Sequence, residues 1–231
     1  MEFTKSLIKG KLIKRYKRFF VDVKLNKEIV TAHCPNTGSM KGLLDKGNDV
    51  FLLKNDDPKR KLKYGLEIIK AGKNLVGVNT HMANKIVNHG LENNLIKELE
   101  DVDKIQAEVF FNKETRFDFL IEKSEQKSFI EVKNVTLSRT SNLAEFPDAK
   151  TERGLKHIKE LIKAGRKNYQ IFILFLIQRN DCNTFSIAED IDPNYANTLS
   201  KAVKNNLKIL CYDCKFSSKG IKLNKKIKLR I

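Results

Sequence analysis

Short runs of alternating apolar and polar residues fill the first 80 positions, and turn-forming residues separate them. The pattern predicts strands at residues 6–13, 19–25, 28–34, 49–54, 62–70 and 75–79. The interruptions between them are rich in Asn, Asp, Pro and Gly, and no long helical stripe is found among them. About six short strands without a long helix are typical of a small β-barrel, and we predict an OB-like barrel for residues 1–80.

The pattern changes after residue 80. Apolar residues at helical spacing predict a helix over residues 84–99, and strands are expected at 105–111, 115–122 and 128–137. A second helix should begin at Pro147-Asp148, with Asp148 as its N-cap, and end at Gly165. We then expect a strand, a helix and two strands, at residues 169–178, 193–206, 207–211 and 221–229. This order predicts an α/β domain with a mixed sheet over residues 81–231.

Positive charge is concentrated near the N-terminus. The chain of 231 residues has a formal net charge of +17, of which +10 lies in residues 1–80. Seven basic residues and no acidic one occur between Lys5 and Arg18. Such an excess favours a polyanionic partner, for which DNA is our prediction, and the alternative is a solvated basic face.

The longest apolar run, residues 171–177, has the length of a strand and is far shorter than the roughly 20 residues that a membrane helix needs. The first residues carry no apolar segment of the kind found in signal peptides. We therefore expect a cytoplasmic protein that has no membrane partner. Its four cysteines are expected to be reduced thiols.

The segment from Arg116 to Lys133 contains the main candidate site. If its hairpin turns at Ser124-Glu125, Asp118 faces Glu131 and Arg116 faces Lys133 across the two strands. The opposite face would then be core and would carry Phe117, Phe119, Ile121, Ile130 and Val132.

Like charges placed opposite each other destabilise a sheet, unless a cation lies between them. Asp118 and Glu131 are therefore predicted to bind Mg²⁺ or Mn²⁺. Lys133 would point into the same cleft, to orient a water molecule or to stabilise phosphate charge. The alternative is an exposed charged hairpin with a different register.

The pattern Asp118…Glu131-Val-Lys133, within this order of elements, resembles the PD-(D/E)XK nuclease superfamily. The resemblance implies that Asp118 and Glu131 bind metal and that Lys133 is the catalytic lysine. The proline of the motif's first half is absent, since Arg116-Phe117 precede Asp118. The superfamily often adds an acid from the preceding helix, for which Glu92 is the match by position and Glu108 is the competitor.

Nearly the whole chain also resembles the SfsA (sugar fermentation stimulation protein) family. The matching stretches are Arg18-Phe-Phe-Val-Asp-Val23, His33-Cys-Pro-Asn-Thr-Gly-Ser-Met40, residues 55–60, Gly77-Val-Asn-Thr80, Arg116-Phe-Asp-Phe-Leu120, Glu131-Val-Lys-Asn-Val-Thr136, Phe146-Pro-Asp-Ala149 and Thr151-Glu-Arg-Gly154. The resemblance implies an OB-like domain, a nuclease-like domain and DNA binding without sequence specificity. It leaves open whether the protein cuts DNA.

Several basic or polar segments are candidates for contacts with DNA phosphates. They comprise Lys14, Arg15, Lys17 and Arg18; the turn with Asn36, Thr37, Ser39 and Lys41; Lys59, Arg60 and Lys61; and Arg153, Lys156 and His157. The rings of Tyr16, Phe19 and Phe20 lie among the first group. Any of these rings would either stack on an unpaired base or belong to the core.

These observations predict a DNA-binding protein of low sequence specificity that carries a divalent-metal phosphodiesterase site. The alternative is a noncatalytic DNA-binding regulator that keeps the nuclease fold, and a third hypothesis is an RNA-processing factor.

Overall fold

In the computed structural model, which describes residues 1–230, the first six strands form a barrel. They are β1 (Ile8–Tyr16), β2 (Phe20–Leu25), β3 (Glu28–His33), β4 (Asp49–Lys54), β5 (Tyr64–Ala71) and β6 (Asn74–Gly77). Their order is β3-β2-β1-β4-β5-β6, and β3 also pairs with β5, which closes five strands on themselves. The predicted OB-like barrel is confirmed.

Alternation of side chains explains why these strands close. Every second residue of β2 is buried (Val21, Val23 and Leu25), and the same holds for Val50 and Leu52 of β4. These side chains form one apolar cluster inside the barrel. Since successive residues of a strand point to opposite faces, the intervening polar residues remain at the surface.

The second domain consists of three helices and two sheets. The helices are α1 (His81–Glu92), α2 (Glu152–Gly165) and α3 (Pro193–Lys204). The strands are β7 (Lys104–Asn112), β8 (Thr115–Lys123), β9 (Gln126–Val135), β10 (Leu137–Thr140), β11 (Asn142–Phe146), β12 (Gln170–Ile177), β13 (Cys182–Ile187), β14 (Leu207–Phe216), β15 (Ile221–Lys226) and β16 (Lys228–Arg230). A short 3₁₀ turn, Lys97–Leu99, follows α1.

The central sheet has the order β15-β14-β12-β9-β8-β7. Its inner pairs, β14 with β12 and β12 with β9, are parallel, and the outer pairs are antiparallel. Helix α1 packs with the apolar cluster on one face, and α2 and α3 pack with the cluster on the other. Because both faces are covered, β12 is buried along nearly its whole length, as a central parallel strand should be. The prediction of an α/β domain with a mixed sheet is confirmed.

A second, four-stranded sheet was not predicted. Its order is β10-β11-β13-β16, and the expected last strand at 221–229 is divided between the two sheets. Strands β10, β11 and β13 contain several polar residues. The strand that pairs with such a segment can lie far from it in the sequence. Pairing of β11 with β13 therefore depends on long-range contacts that local periodicity does not show.

The expected N-cap of α2 is corrected by the structure. Thr151, not Asp148, precedes the helix, and its side chain accepts a hydrogen bond from the Gly154 amide at 3.1 Å. The Asp148 carboxylate instead accepts hydrogen bonds from Ser39 Oγ and the Met40 amide, both at 3.3 Å. Asp148 therefore joins the two domains.

Further contacts fix the barrel against the second domain. Thr80 Oγ1 donates to the Pro35 carbonyl at 2.8 Å, and the Gly77 amide donates to the Gln178 carbonyl at 2.9 Å. The first residues of the chain also cross to the second domain, where Glu2 pairs with Gly220. The loop that follows β3 is thus held beside the edge of the second domain. Within residues 1–230, no helix combines the length and apolar character needed to cross a membrane.

Gly38 is a close approach at this domain contact, because a Cβ atom there would collide with the carboxylate of Asp148. We expect Gly38→Ala to lower the free energy of unfolding by about 1–3 kcal/mol, as overpacking does. The double variant Gly38→Ala/Asp148→Ala should recover part of this loss in urea unfolding, since the colliding group is gone. Gly65→Ala is the control, because a Cβ there meets only Glu67 Oε1 at an ordinary 3.6 Å. Equal losses in the single and double variants would contradict the expectation.

Candidate functional site

Asp118 lies at the point where the pairing of β8 with β9 ends. The ladder runs from Lys123–Gln126 to Phe119–Ile130, which confirms the predicted register over these residues. Beyond it, the Asp118 side chain takes the place of a backbone partner: Oδ2 accepts a hydrogen bond from the Val132 amide at 2.7 Å. Oδ1 accepts one from Asn84 Nδ2 of α1, also at 2.7 Å. The carboxylate is thus fixed between α1 and β9.

The alternation of β8 breaks at Asp118. Phe117 packs into the cluster under α2, whereas Phe119 packs into the cluster under α1, so the prediction that both share one core face is wrong. On the neighbouring strand, Glu108 has a φ of +58° between the flanking pairs Ala107–Phe119 and Val109–Phe117. A left-handed residue inside a strand is strained and persists only where its surroundings enforce it. The irregularity of β7 thus lies directly beside Asp118.

Glu131 is 3% exposed and stands on the face covered by α2. Its Oε1 accepts a hydrogen bond from Lys133 Nζ at 2.6 Å and lies 2.5 Å from Nδ1 of His157. An ionised carboxylate can only accept, so Nδ1 of His157 carries the proton in this contact. Oε2 of Glu131 is buried and has no hydrogen-bond partner in the structure. Buried polar atoms are usually paired, so Oε2 is an available ligand atom.

The two carboxylates have opposite pKa shifts. Burial, and then the negative charge of Glu131, raise the pKa of Asp118 to about 6. Burial also opposes ionisation of Glu131, but the charge of Lys133 and the contact with His157 outweigh it and hold that pKa below its usual value. Glu131 is therefore ionised, and its negative charge makes ionisation of the neighbouring Asp118 less favourable.

Both carboxylates and Lys133 line one cleft of about 480 Å³, whose other walls come from the start of α1, from β7 and from α2. The remaining lining residues are Thr80, His81, Asn84, Lys85, Glu108, Val132 and Arg153. A second cleft of about 360 Å³ shares Lys133 with it and extends to Arg18 and Thr37 of the barrel. The structure thus brings together the three residues of the sequence motif and places the barrel beside them.

The expected third acid, Glu92, does not line this cleft, but it lines an adjoining cleft of about 430 Å³ together with Glu108 and Asp118. It ends α1, is exposed and accepts a hydrogen bond from Asn88 at 2.7 Å. At 1.5 Å per residue, it lies about 12 Å along the helix from Asn84, which contacts Asp118. The competitor Glu108 lines the cleft instead, 3.4 Å from Asn84 Nδ2 and paired with Arg116 at 2.8 Å.

Most of the predicted DNA-binding residues are at the surface. The exposed ones are Lys14, Lys17, Arg18, Thr37, Ser39, Lys41, Lys59, Arg60, Lys61, Arg153 and Lys156. Only some of them face the clefts: Arg18 and Thr37 line the smaller cleft and Arg153 the larger one. Lys156 is paired with Glu114 at 3.1 Å.

Three candidates have structural contacts instead. The guanidinium of Arg15 donates to the carbonyls of Arg18, Gly38, Ser39 and Asn36, and so holds the turn after β3. Asn36 is 4% exposed, donates to the Val78 carbonyl and accepts from the Gly38 amide. His157 is buried against Glu131. These three side chains are engaged in contacts within the protein.

Helical spacing contains the signal that was missed for His157. It shares the buried stripe of α2 with Gly154, Ile158 and Leu161 rather than the exposed face of Arg153. Asn84, by contrast, has no local signature, since its role arises only because α1 packs over the end of β8. The same is true of Glu108, whose left-handed backbone is imposed by the sheet.

Asp118→Asn should stabilise the metal-free protein at neutral pH. An unfolded Asp ionises above a pH of about 4, whereas the folded Asp118 ionises only above about 6. The charge of Asp118 therefore lowers the free energy of unfolding by its full amount above about pH 6, and this effect disappears as the pH falls toward about 4. We expect the variant to exceed wild type by about 1–3 kcal/mol at pH 7.5 and to match it near pH 4, in urea unfolding with EDTA.

Asp49→Asn provides the control of opposite sign. Hydrogen bonds from Lys11 and Lys9 hold the pKa of Asp49 below its usual value, so its removal should destabilise the protein at neutral pH. A loss of stability for Asp118→Asn that is independent of pH would show that folding does not raise the pKa of Asp118.

Both domains match known families. Residues 13–78 match the SfsA N-terminal OB domain, and residues 81–220 match the sugar fermentation stimulation protein RE domain. A sugar fermentation stimulation protein homolog of Pelagibacter ubique (strain HTCC1062) is 66% identical to this chain over 99% of each chain. A homolog of Maricaulis maris (strain MCS10) is 40% identical over 100% of this chain and 99% of the relative. The solved structure of Pyrococcus furiosus SfsA in complex with Ca²⁺ superposes with a TM-score of 0.90 at 26% identity, covering 100% of this chain and 98% of that one. The chain therefore belongs to the SfsA family.

Proposed function

We propose that this protein binds DNA with little sequence specificity and hydrolyses phosphodiester bonds with a divalent metal ion at Asp118 and Glu131. The observation that carries the proposal is the meeting of the buried Glu131, the half-buried Asp118 and Lys133 in one cleft. Like charges that are withdrawn from water together are costly unless a cation or a proton compensates them. Burial of Asp118, and then the charge of Glu131, raise the pKa of Asp118, which reflects this cost.

The donor set fits Mg²⁺ or Mn²⁺. Both ions prefer hard oxygen ligands, and Mg²⁺ is usually held by one or two carboxylates while water and phosphate supply the remaining ligands. Asp118 and the unpartnered Oε2 of Glu131 supply such oxygens. Residues 1–230 contain no group of three or more His, Cys, Asp or Glu side chains arranged to hold a metal. A two-carboxylate site completed by water and substrate is therefore the proposal. The Ca²⁺ complex of the Pyrococcus furiosus relative supports an oxygen-based cation site in this family.

A bound divalent ion would polarise the phosphoryl group and lower the pKa of a bound water. The protein's own residues prepare the site for that chemistry. The Val132 amide and Asn84 fix Asp118, and His157 and Lys133 fix Oε1 of Glu131, which leaves Oε2 free. Lys133 also lines the cleft, where its positive charge would stabilise negative charge that develops on a phosphate.

Basic side chains around the clefts supply the proposed DNA contacts. Arg18 borders the smaller cleft, and Lys85 and Arg153 border the larger one. Arg60 is exposed, as Arg18 and Arg153 are, so its guanidinium is also available to a phosphate. Contacts of this kind bind phosphates regardless of sequence, which fits low sequence specificity.

Substitutions in the motif should separate metal binding from DNA binding. We expect Asp118→Asn and Glu131→Gln to abolish Mn²⁺ binding in isothermal titration and to abolish cleavage. Their metal-free affinity for DNA should be unchanged or slightly higher, since a negative charge near the phosphates is gone. Lys133→Ala should keep metal binding but lower the cleavage rate by about 100-fold or more, because one charge-stabilising group is lost.

Glu114→Gln is the matched control, because Glu114 is an exposed acid that lies outside both clefts and pairs with Lys156. It should leave metal binding and cleavage unchanged. Identical Mn²⁺ titrations of wild type and Asp118→Asn would rule out the metal site. A wild type that binds Mn²⁺ and DNA, yet cleaves no single-stranded, duplex or branched DNA, would identify the noncatalytic regulator instead.

The salt dependence of DNA binding tests the proposed interface. Each neutralised phosphate contributes about −0.9 to the log–log salt slope on duplex DNA. Replacing Arg18, Arg60 and Arg153 together by Ala should therefore flatten the slope by between about two and three. The charge-matched control replaces Lys201, Lys204 and Lys228, which lie on α3 and β16. An equal change in both triple variants would indicate that DNA is bound by net charge alone.

A further inference from the structure

We propose that the Phe19 ring is a stacking platform for an unpaired base, and that the protein engages single-stranded DNA at the mouth of its clefts. The inference rests on the proposed function and deepens it, because it names the DNA form that the site receives. It is carried by the exposure of the ring, by the turn that presents it and by the basic groups around it.

Phe19 is 42% exposed, although it lies in an apolar pair with Phe20 between two strands. Its ring stacks on that of His33, with centroids 6.4 Å apart and planes 12° apart. The imidazole therefore supports one side of the ring, and the ring remains open to solvent elsewhere. An exposed aromatic ring that is held flat from behind has the geometry of a base-stacking platform.

The turn before Phe19 is strained. Lys17 and Arg18 have φ values of +46° and +63°, a region that residues other than glycine rarely adopt. The turn is held in place, since Arg15 Nε donates to the Arg18 carbonyl at 2.9 Å and Arg18 donates to the Thr37 carbonyl at 2.7 Å. Strained turns that are fixed in this way occur preferentially at binding sites.

The platform is next to both clefts. Arg18 precedes Phe19 and lines the smaller cleft. Thr80, which lines both clefts, donates a hydrogen bond to the carbonyl of Pro35, two residues after His33 on which Phe19 stacks. Burial, and then the charges of His81 and Arg60, lower the pKa of His33, so the supporting ring is neutral at neutral pH.

This combination favours single-stranded DNA over duplex DNA. The bases of a duplex are already stacked inside it, so an exposed protein ring gains little from them. An unpaired base has a free π-face, and stacking on an aromatic ring is compatible with any sequence. The neighbouring cations Arg18, Arg60 and Arg153 would bind the backbone on either side of the stacked nucleotide, and this would direct the strand toward Asp118 and Glu131.

A single tryptophan tests the contact directly, because the chain contains none. In Phe19→Trp, we expect the fluorescence to be quenched when an oligothymidylate binds in EDTA. Ile29→Trp is the control: Ile29 is 68% exposed and lies at the far end of β3, four residues or about 13 Å from His33. It should not be quenched. Quenching that is absent in Phe19→Trp, or equal in both variants, would overturn the proposal.

Affinity provides the second measurement. Phe19→Ala should weaken binding of the oligothymidylate by about 10-fold or more and binding of a blunt duplex by less than about 2-fold, whereas Phe19→Trp should retain both affinities. Equal losses for both DNA forms, or no loss, would refute the platform. Tighter binding of an RNA oligonucleotide of matching sequence with the same quenching would assign the platform to RNA and overturn the inference for DNA.

The outcome is independent of the metal site. Mn²⁺ titrations should be identical for wild type and Phe19→Ala, since Phe19 is remote from both carboxylates in the chain and contacts neither. Loss of quenching together with intact Mn²⁺ binding would refute the platform and leave the proposed function standing. Quenching without any Mn²⁺ binding would support the platform and refute the proposed metal site.

Discussion

The proximity of two carboxylates that are largely withdrawn from water is the constraint on which the rest of the site depends. Asp118 and Glu131 share one cleft, and each is held by hydrogen-bond donors of its own. The Val132 amide and Asn84 restrain Asp118, and Lys133 and His157 restrain Glu131. These contacts offset only part of the cost, because the pKa of Asp118 stays raised to about 6 and Oε2 of Glu131 stays unpaired. An incompletely compensated pair of this kind is suited to a cation.

The strands beside this pair depart from regular geometry. Glu108 is left-handed inside β7, and the alternation of β8 breaks at Asp118. The inner strands β9, β12 and β14 pair in unbroken register, and both faces of the central sheet are packed. A left-handed residue inside a strand persists only where its surroundings enforce it, and such residues are enriched at functional sites. The barrel contributes to this place through the turn after β3, which Arg15 holds from one side and Asp148 from the other.

Local patterns predicted most of the fold because the forces that they report are local. Alternation in strands β2 and β4 and the continuous apolar run of β12 reflect burial on one face or on both, and the structure has these strands nearly where they were expected. The second sheet escaped prediction because its strands are short, partly polar and paired across long stretches of sequence. The N-cap of α2 was misplaced because two suitable residues, Asp148 and Thr151, precede the helix. The tertiary contact with the loop after β3 selects which of them caps it.

The sequence by itself determined the chemical elements of the site. The spacing of Asp118, Glu131 and Lys133, together with the turn at Ser124-Glu125, fixed a register that sends all three to one end of a hairpin. Only the tertiary structure decided which other groups join them. His157 reaches Glu131 because α2 packs over β9, and Asn84 reaches Asp118 because α1 packs over the opposite face. Glu92 lies about 12 Å farther along α1, in an adjoining cleft that it shares with Asp118. The residue types determine which hydrogen bonds the side chains can form. Which side chains come close together is determined by the packing of helices and strands, and this packing depends on contacts between residues that are far apart in the chain.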